Sequence, residues 1–193
     1  MLLAPLNYWR VRHPVKGMWD FLFPALGAVG LTAALMLWPA IPSPYGATGF
    51  LGGLQNLYAI LGGFFVAALT LLSTADSRAL RQPLAGSPPP KFGTETVPLD
   101  RRRFLCLLFG YLAFSAFGLY ALGFIATLLA PGAREILAGP ARTVASLAFL
   151  LFYTFWLSHV FVSTMVGLYY FTDRLQRPDP VLIRDTDDLQ AAE

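Results

Sequence analysis

The sequence predicts an all-α integral membrane protein of four transmembrane helices, set as two antiparallel hairpins with both termini in the cytoplasm. Three observations lead there. Of the 193 residues, 56% are hydrophobic and only 13% charged. That is about half the charge of a typical soluble domain, so lipid must solvate the apolar excess. Four apolar runs are each long enough to cross a hydrocarbon core of about 30 Å, which takes about 20 helical residues. Finally, the 14 lysines and arginines fall almost wholly on one side of a four-span arrangement.

Residues 1–18 form an interfacial N-terminal segment. The stretch Leu6-Asn7-Tyr8-Trp9-Arg10-Val11-Arg12 mixes aromatics with arginines and is expected to lie along the inner membrane surface, anchoring the first span. It lacks the basic start, long apolar core and small-residue cleavage site of a signal peptide. The first hairpin covers 19–73, with spans at 19–38 and 50–73. Its opening helix tolerates Pro24 in the first turn and closes on Trp38-Pro39. A cytoplasmic loop, 74–103, carries Ser87-Pro88-Pro89-Pro90-Lys91, which favours an extended polyproline spacer. The second hairpin covers 104–172, with spans at 104–130 and 144–171. Pro131-Gly132 should end its first helix. The tail, 173–193, is too short for a domain. Trp19, Trp38, Tyr45, Tyr169 and Tyr170 fall near span ends, as an aromatic belt requires.

Orientation follows from the basic residues. Twelve of the 14 lie on the side of the termini and central loop, and only Arg134 and Arg142 lie on the other. The positive-inside rule then puts both termini and the central loop in the cytoplasm, and a multi-pass protein of the inner, cytoplasmic membrane is expected. These cations sit at span ends rather than on one basic face, so nucleic acid is not an expected partner.

The candidate chemistry is sparse. Cys106 is the only cysteine, which excludes an intramolecular disulfide, a zinc thiolate set and the four-helix disulfide enzymes. His13 and His159 are the only histidines, too few for a haem held across a bundle. No Gly-x-x-x-x-Gly-Lys-Ser/Thr motif occurs. No cofactor and no metal is expected. His159, within the fourth span, is an ionisable group at membrane depth and so a functional candidate by default, with Ser163 one turn away and Asn56 in the second span completing a candidate polar site. No carboxylate is expected at the depth of His159, which weighs toward a packing hydrogen bond rather than a base.

Gly52, Ala59, Gly63 and Ala67 form with Asn56 a small-residue face on the second span, suited to helix packing or a homo-oligomer contact. Arg101, Arg102 and Arg103 abut the third span, where they set orientation and meet membrane lipids or a partner. Val181, Leu182 and Ile183 are apolar residues in a polar tail, which the groove or sheet edge of a cytoplasmic protein would cover.

The organisation, four spans with little soluble mass, resembles small membrane subunits of bacterial multi-component systems, among them the membrane partner of Kiwa-type phage defence. This is a likeness of organisation without a shared motif. It implies a non-enzymatic scaffold or sensor that oligomerises in the membrane and recruits a cytoplasmic partner. The alternative is a small pore or transporter subunit for a lipid or other apolar solute, lined by Asn56 and His159. No catalytic residue is assigned.

Overall fold

The structure, a computed structural model, describes residues 3–12, 16–37, 44–46, 48–75, 77, 79–84, 90–93 and 99–174. Four helices long and apolar enough to cross a membrane dominate it. A 3-10 segment, Ala4–Arg10, leads into a two-residue strand β1, Val11–Arg12. A π-helical turn, Met18–Leu22, then runs into α1, Phe23–Leu37. The helix α2 is Phe50–Thr74, β2 is Lys91–Phe92, α3 is Arg101–Ile136 and α4 is Gly139–Tyr169. Within the spans only 22–33% of the most apolar stretch is buried in the chain. Leucines, isoleucines and phenylalanines such as Leu26, Ile60, Leu128 and Phe161 point outward, which is stable only against lipid or another copy.

The bundle is built from two extensive helix contacts, α1 on α4 and α2 on α3, joined where α3 meets α4. Small residues let these backbones approach, as membrane helices require. A Cβ on Gly118 would meet the Trp156 ring at 2.8 Å, and one on Gly123 would meet the Tyr153 hydroxyl at 2.9 Å. Between α1 and α4, the Thr32 and Thr154 hydroxyls share a buried hydrogen bond of 2.8 Å. Such bonds contribute about 0.6–2 kcal/mol in a membrane.

Two expectations about the second hairpin change. The helix α3 does not stop at Pro131 but continues to Ile136. A proline costs a helix one hydrogen bond, here to the carbonyl four residues back, and Pro131 is exposed near the helix end, where that carbonyl can be solvated. The connection to α4 is therefore only Leu137 and Ala138 rather than about a dozen residues, with Gly139 taking a left-handed φ of +57°.

At the other, basic end, the central connection is folded against the bundle. Leu80, Leu84 and Leu99 are buried in the core. β1 and β2 pair antiparallel, Val11 with Phe92 and Arg12 with Lys91, tying the N-terminal segment to the connection. Carbonyls of Gln82 and Leu80 accept from the Arg101 and Arg102 amides, 2.9 and 2.8 Å. Two otherwise unpaired N–H groups at the start of α3 are satisfied this way. Residues 85–89, within which most of the polyproline motif falls, lie outside the described residues.

Candidate functional site

The site begins with a proline. Pro24 has no N–H to offer the carbonyl four residues back, and that carbonyl belongs to Asp20. His159 on α4 takes the place: its Nδ1 lies 3.0 Å from the Asp20 carbonyl oxygen, in a buried contact. A carbonyl can only accept, so Nδ1 carries the proton and Nε2 of the neutral ring keeps a lone pair. That Nε2 is buried with no hydrogen-bond partner among the described residues.

The Asp20 side chain closes the arrangement. Its carboxylate is buried and accepts from the Tyr8 hydroxyl at 3.2 Å. The Lys16 ammonium, one turn earlier, pairs with its second oxygen and lies 4.1 Å above the Tyr8 ring and 5.3 Å from the Trp9 ring. Trp9 stacks face to face on His159 with centroids 5.1 Å apart, and Tyr8 stacks on Tyr111 at 5.0 Å. Each aromatic contact of this kind is worth about 0.5–1.5 kcal/mol beyond its buried area. Tyr111 and His159 each sit ten residues from the basic ends of α3 and α4, about 15 Å along the helix. The N-terminal segment therefore packs against the bundle. Two of its rings and one hydroxyl find partners there.

Burial, and then the negative charge and hydrogen bond of Asp20, raise the Tyr8 phenol above its ordinary value, while Ser163 works in the opposite direction. A raised value makes the Tyr8 contribution fully present below about pH 10, the ordinary tyrosine value, and lost as pH climbs toward the higher folded value. Thermal stability of the wild type in detergent is expected to fall more steeply above about pH 10 than that of Tyr8→Phe. Parallel pH profiles would contradict the raised phenol.

His159 is 1% exposed, sealed by Trp9 on one side and Tyr111 on another. Among the described residues the ring meets these two aromatics and the Asp20 carbonyl. The lone carboxylate nearby is already neutralised by Lys16. The sequence expectation of no carboxylate at this depth is overturned: Asp20, one residue into the first predicted span, is level with His159. The cluster's chemical competence is adhesion, a polar latch that holds the N-terminal segment between α1, α3 and α4.

The other predicted residues disperse. Ser163 is buried in the same cluster. Asn56, Ala59, Gly63 and Ala67 face away from the bundle and Gly52 is half-buried. A Cβ on Gly63 would meet nothing within 4 Å. The stripe is thus not used for packing inside the chain, and Asn56 and His159 do not share a lining. Arg102 is engaged internally, its Nε donating to the Leu72 carbonyl at 3.1 Å and its Nη2 to that of Ser73, which caps the end of α2. Arg103 lies over the Phe92 ring at 4.5 Å, and Arg101 is half-buried. Val181, Leu182 and Ile183 lie outside the described residues. Among the described residues no three His, Cys, Asp or Glu side chains are grouped to hold a metal ion.

No family model, curated protein or solved structure matches the chain. The functional reading therefore rests on its own geometry.

Sequence reasoning missed a second feature, a cavity of about 510 Å³ at the end opposite the latch. It lies between the last turns of α1, the far halves of α3 and α4, and Tyr45, whose hydroxyl shares a hydrogen bond of 3.0 Å with Ser146. No single run of sequence shows it, because its walls come from three helices and the connection before α2.

Proposed function

We propose that the chain is a non-enzymatic scaffold or sensor of the inner membrane, oligomerising through the outward face of α2 and recruiting a cytoplasmic protein. The observation that carries this reading is the unpartnered stripe Asn56, Ala59, Gly63 and Ala67. A polar amide and three small residues at helical spacing face out of the bundle, where lipid offers the amide no hydrogen bond and a second copy offers both close approach and a partner.

The spans are taken as two antiparallel hairpins with both termini cytoplasmic, supported by the twelve-to-two distribution of basic residues. The basic end then faces the cytoplasm. Leu80, Leu84 and Leu99 of its central loop are buried in the bundle, so recruitment is assigned to the tail with Val181, Leu182 and Ile183. The sealed state of His159 supports a chain without catalysis. It also weighs against a pore lined jointly by Asn56 and His159. A multi-component bacterial system such as phage defence is the setting this organisation resembles.

The test is purification of the full chain from its host in mild detergent, with size analysis and mass spectrometry. Gly63→Leu is expected to convert the oligomer to monomer without loss of helicity, since the new side chain meets nothing inside the chain. Deleting residues 179–193 is expected to remove a co-purifying cytosolic protein and leave the oligomer. An oligomer indifferent to Gly63→Leu overturns the interface. A deletion that loses both oligomer and partner, or neither, overturns the division of roles.

A further inference from the structure

We propose that the cavity opposite the latch binds one anionic phospholipid, its acyl chain inside and its phosphate on Arg134 and Arg142. The reading is independent of the scaffold proposal and of which face is cytoplasmic. It needs only that the helices cross a membrane.

The walls and the rim differ in chemistry. Leu122, Ile125, Leu129 and Phe149 supply the apolar lining, and among the described residues Arg134 and Arg142 are the only charged side chains that line it. The neighbouring acid, Glu135, is not part of it. These are also the only two basic residues on this side of the four-span arrangement. Where positive charge at span ends serves to set orientation, two arginines on the minority side work against that bias. Both line one apolar cavity, from two helices, and a ligand there would engage them together.

The class of ligand follows from depth and shape. The 36 residues of α3 amount to about 54 Å of helix against a hydrocarbon thickness of about 30 Å. The tight turn joining α3 to α4 therefore stands out of the apolar layer, bringing arginines a few residues from it among lipid head groups. The cavity leads the other way, toward Ile125 and Leu129, which are half-exposed. An amphiphile with an anionic head and an apolar tail meets both ends. Guanidinium pairs suit phosphate oxygens because their planar donors engage two at once. The volume is within the roughly 300–1,000 Å³ range of ligand pockets.

The probes are fluorescent phosphatidylglycerol and phosphatidylcholine with identical acyl chains, titrated onto the full chain in delipidating detergent. Wild-type protein is expected to prefer phosphatidylglycerol by roughly tenfold, which corresponds to about 1.4 kcal/mol. Arg134→Gln with Arg142→Gln is expected to bring phosphatidylglycerol down to the level of phosphatidylcholine. Both arginines are exposed, and helicity checks the fold. Ala145→Trp, one turn from Arg142 on the cavity face of α4, should weaken both lipids without abolishing the preference, and it tests the tail site even if the double variant fails to fold. Inorganic phosphate in excess should not displace bound phosphatidylglycerol. Equal binding of the two lipids by the wild type overturns the proposal. So does full displacement by phosphate, or binding unchanged in Ala145→Trp.

Discussion

Replacing Asp20 by alanine is expected to destabilise the protein by about 3 kcal/mol, the low end of what breaking a buried ion pair costs, and to release the N-terminal segment. Three groups depend on this residue. Its carboxylate receives the Tyr8 hydroxyl and the Lys16 ammonium, and both carboxylate and hydroxyl are buried. Removing it leaves the Lys16 side chain, only 15% exposed, with an uncompensated charge between two aromatic rings. The main-chain carbonyl that holds His159 survives the substitution. The damage is therefore at the segment rather than at the α1–α4 contact. His159→Ala removes a stacking partner of Trp9 and one hydrogen bond, and a smaller loss of about 1–2 kcal/mol is expected. A double variant, Asp20→Leu with Lys16→Met, should recover much of the loss, because charge and countercharge disappear together. The readouts are thermal unfolding in detergent and tryptic cleavage after Arg10. Cleavage should accelerate in Asp20→Ala and return toward wild-type rates in the double variant. Wild-type stability and cleavage in Asp20→Ala would show that the latch is not what holds the segment.

The four spans were legible because each is a local property: an apolar run long enough for the bilayer declares itself without reference to any other. The latch is not local. Asp20 looks like a rim residue when the first span is read alone, and only the packing of that span on α4, residues more than a hundred positions apart, sets it level with His159. Pro24 was read for the harm it avoids at a helix start, whereas its consequence is the carbonyl it leaves to His159. Helical spacing identified the stripe from Gly52 to Ala67 as one face, but spacing does not say what a face meets, and the internal contacts fall to Gly118 and Gly123 instead. The basic triplet shows the same limit. Counting charges places Arg102 on the correct end, yet the count is indifferent to whether a guanidinium meets lipid phosphate or the last carbonyls of α2.

The α1–α4 contact offers a matched comparison on one helix. Gly27 and Gly30 are one turn apart, but a Cβ on Gly27 would stand 2.8 Å from the Ser158 Oγ and 3.2 Å from its Cβ, and one on Gly30 would meet nothing within 4 Å. Ser158 can rotate its hydroxyl away; it cannot move its Cβ without moving α4. Gly27→Val is therefore expected to push the helices apart and cost about 1–3 kcal/mol, as overpacking does. Gly30→Val should change stability little. Separation at Gly27 also acts along the contact, because the Thr32–Thr154 bond and the Ala28 carbonyl accepting from Thr154 at 3.4 Å lie on the same seam. α2 is not among the helices extensively packed on α1, so it offers little to absorb the shift. A graded rescue identifies the mechanism: Ser158→Ala, which removes only the oxygen, should restore part of the loss, and Ser158→Gly, which removes the Cβ as well, should restore more. Equal effects of the two glycine substitutions, measured by thermal unfolding in the same detergent, would mean that the seam is looser than its distances require. A Gly27→Val loss that neither serine substitution relieves would place the strain somewhere other than Ser158.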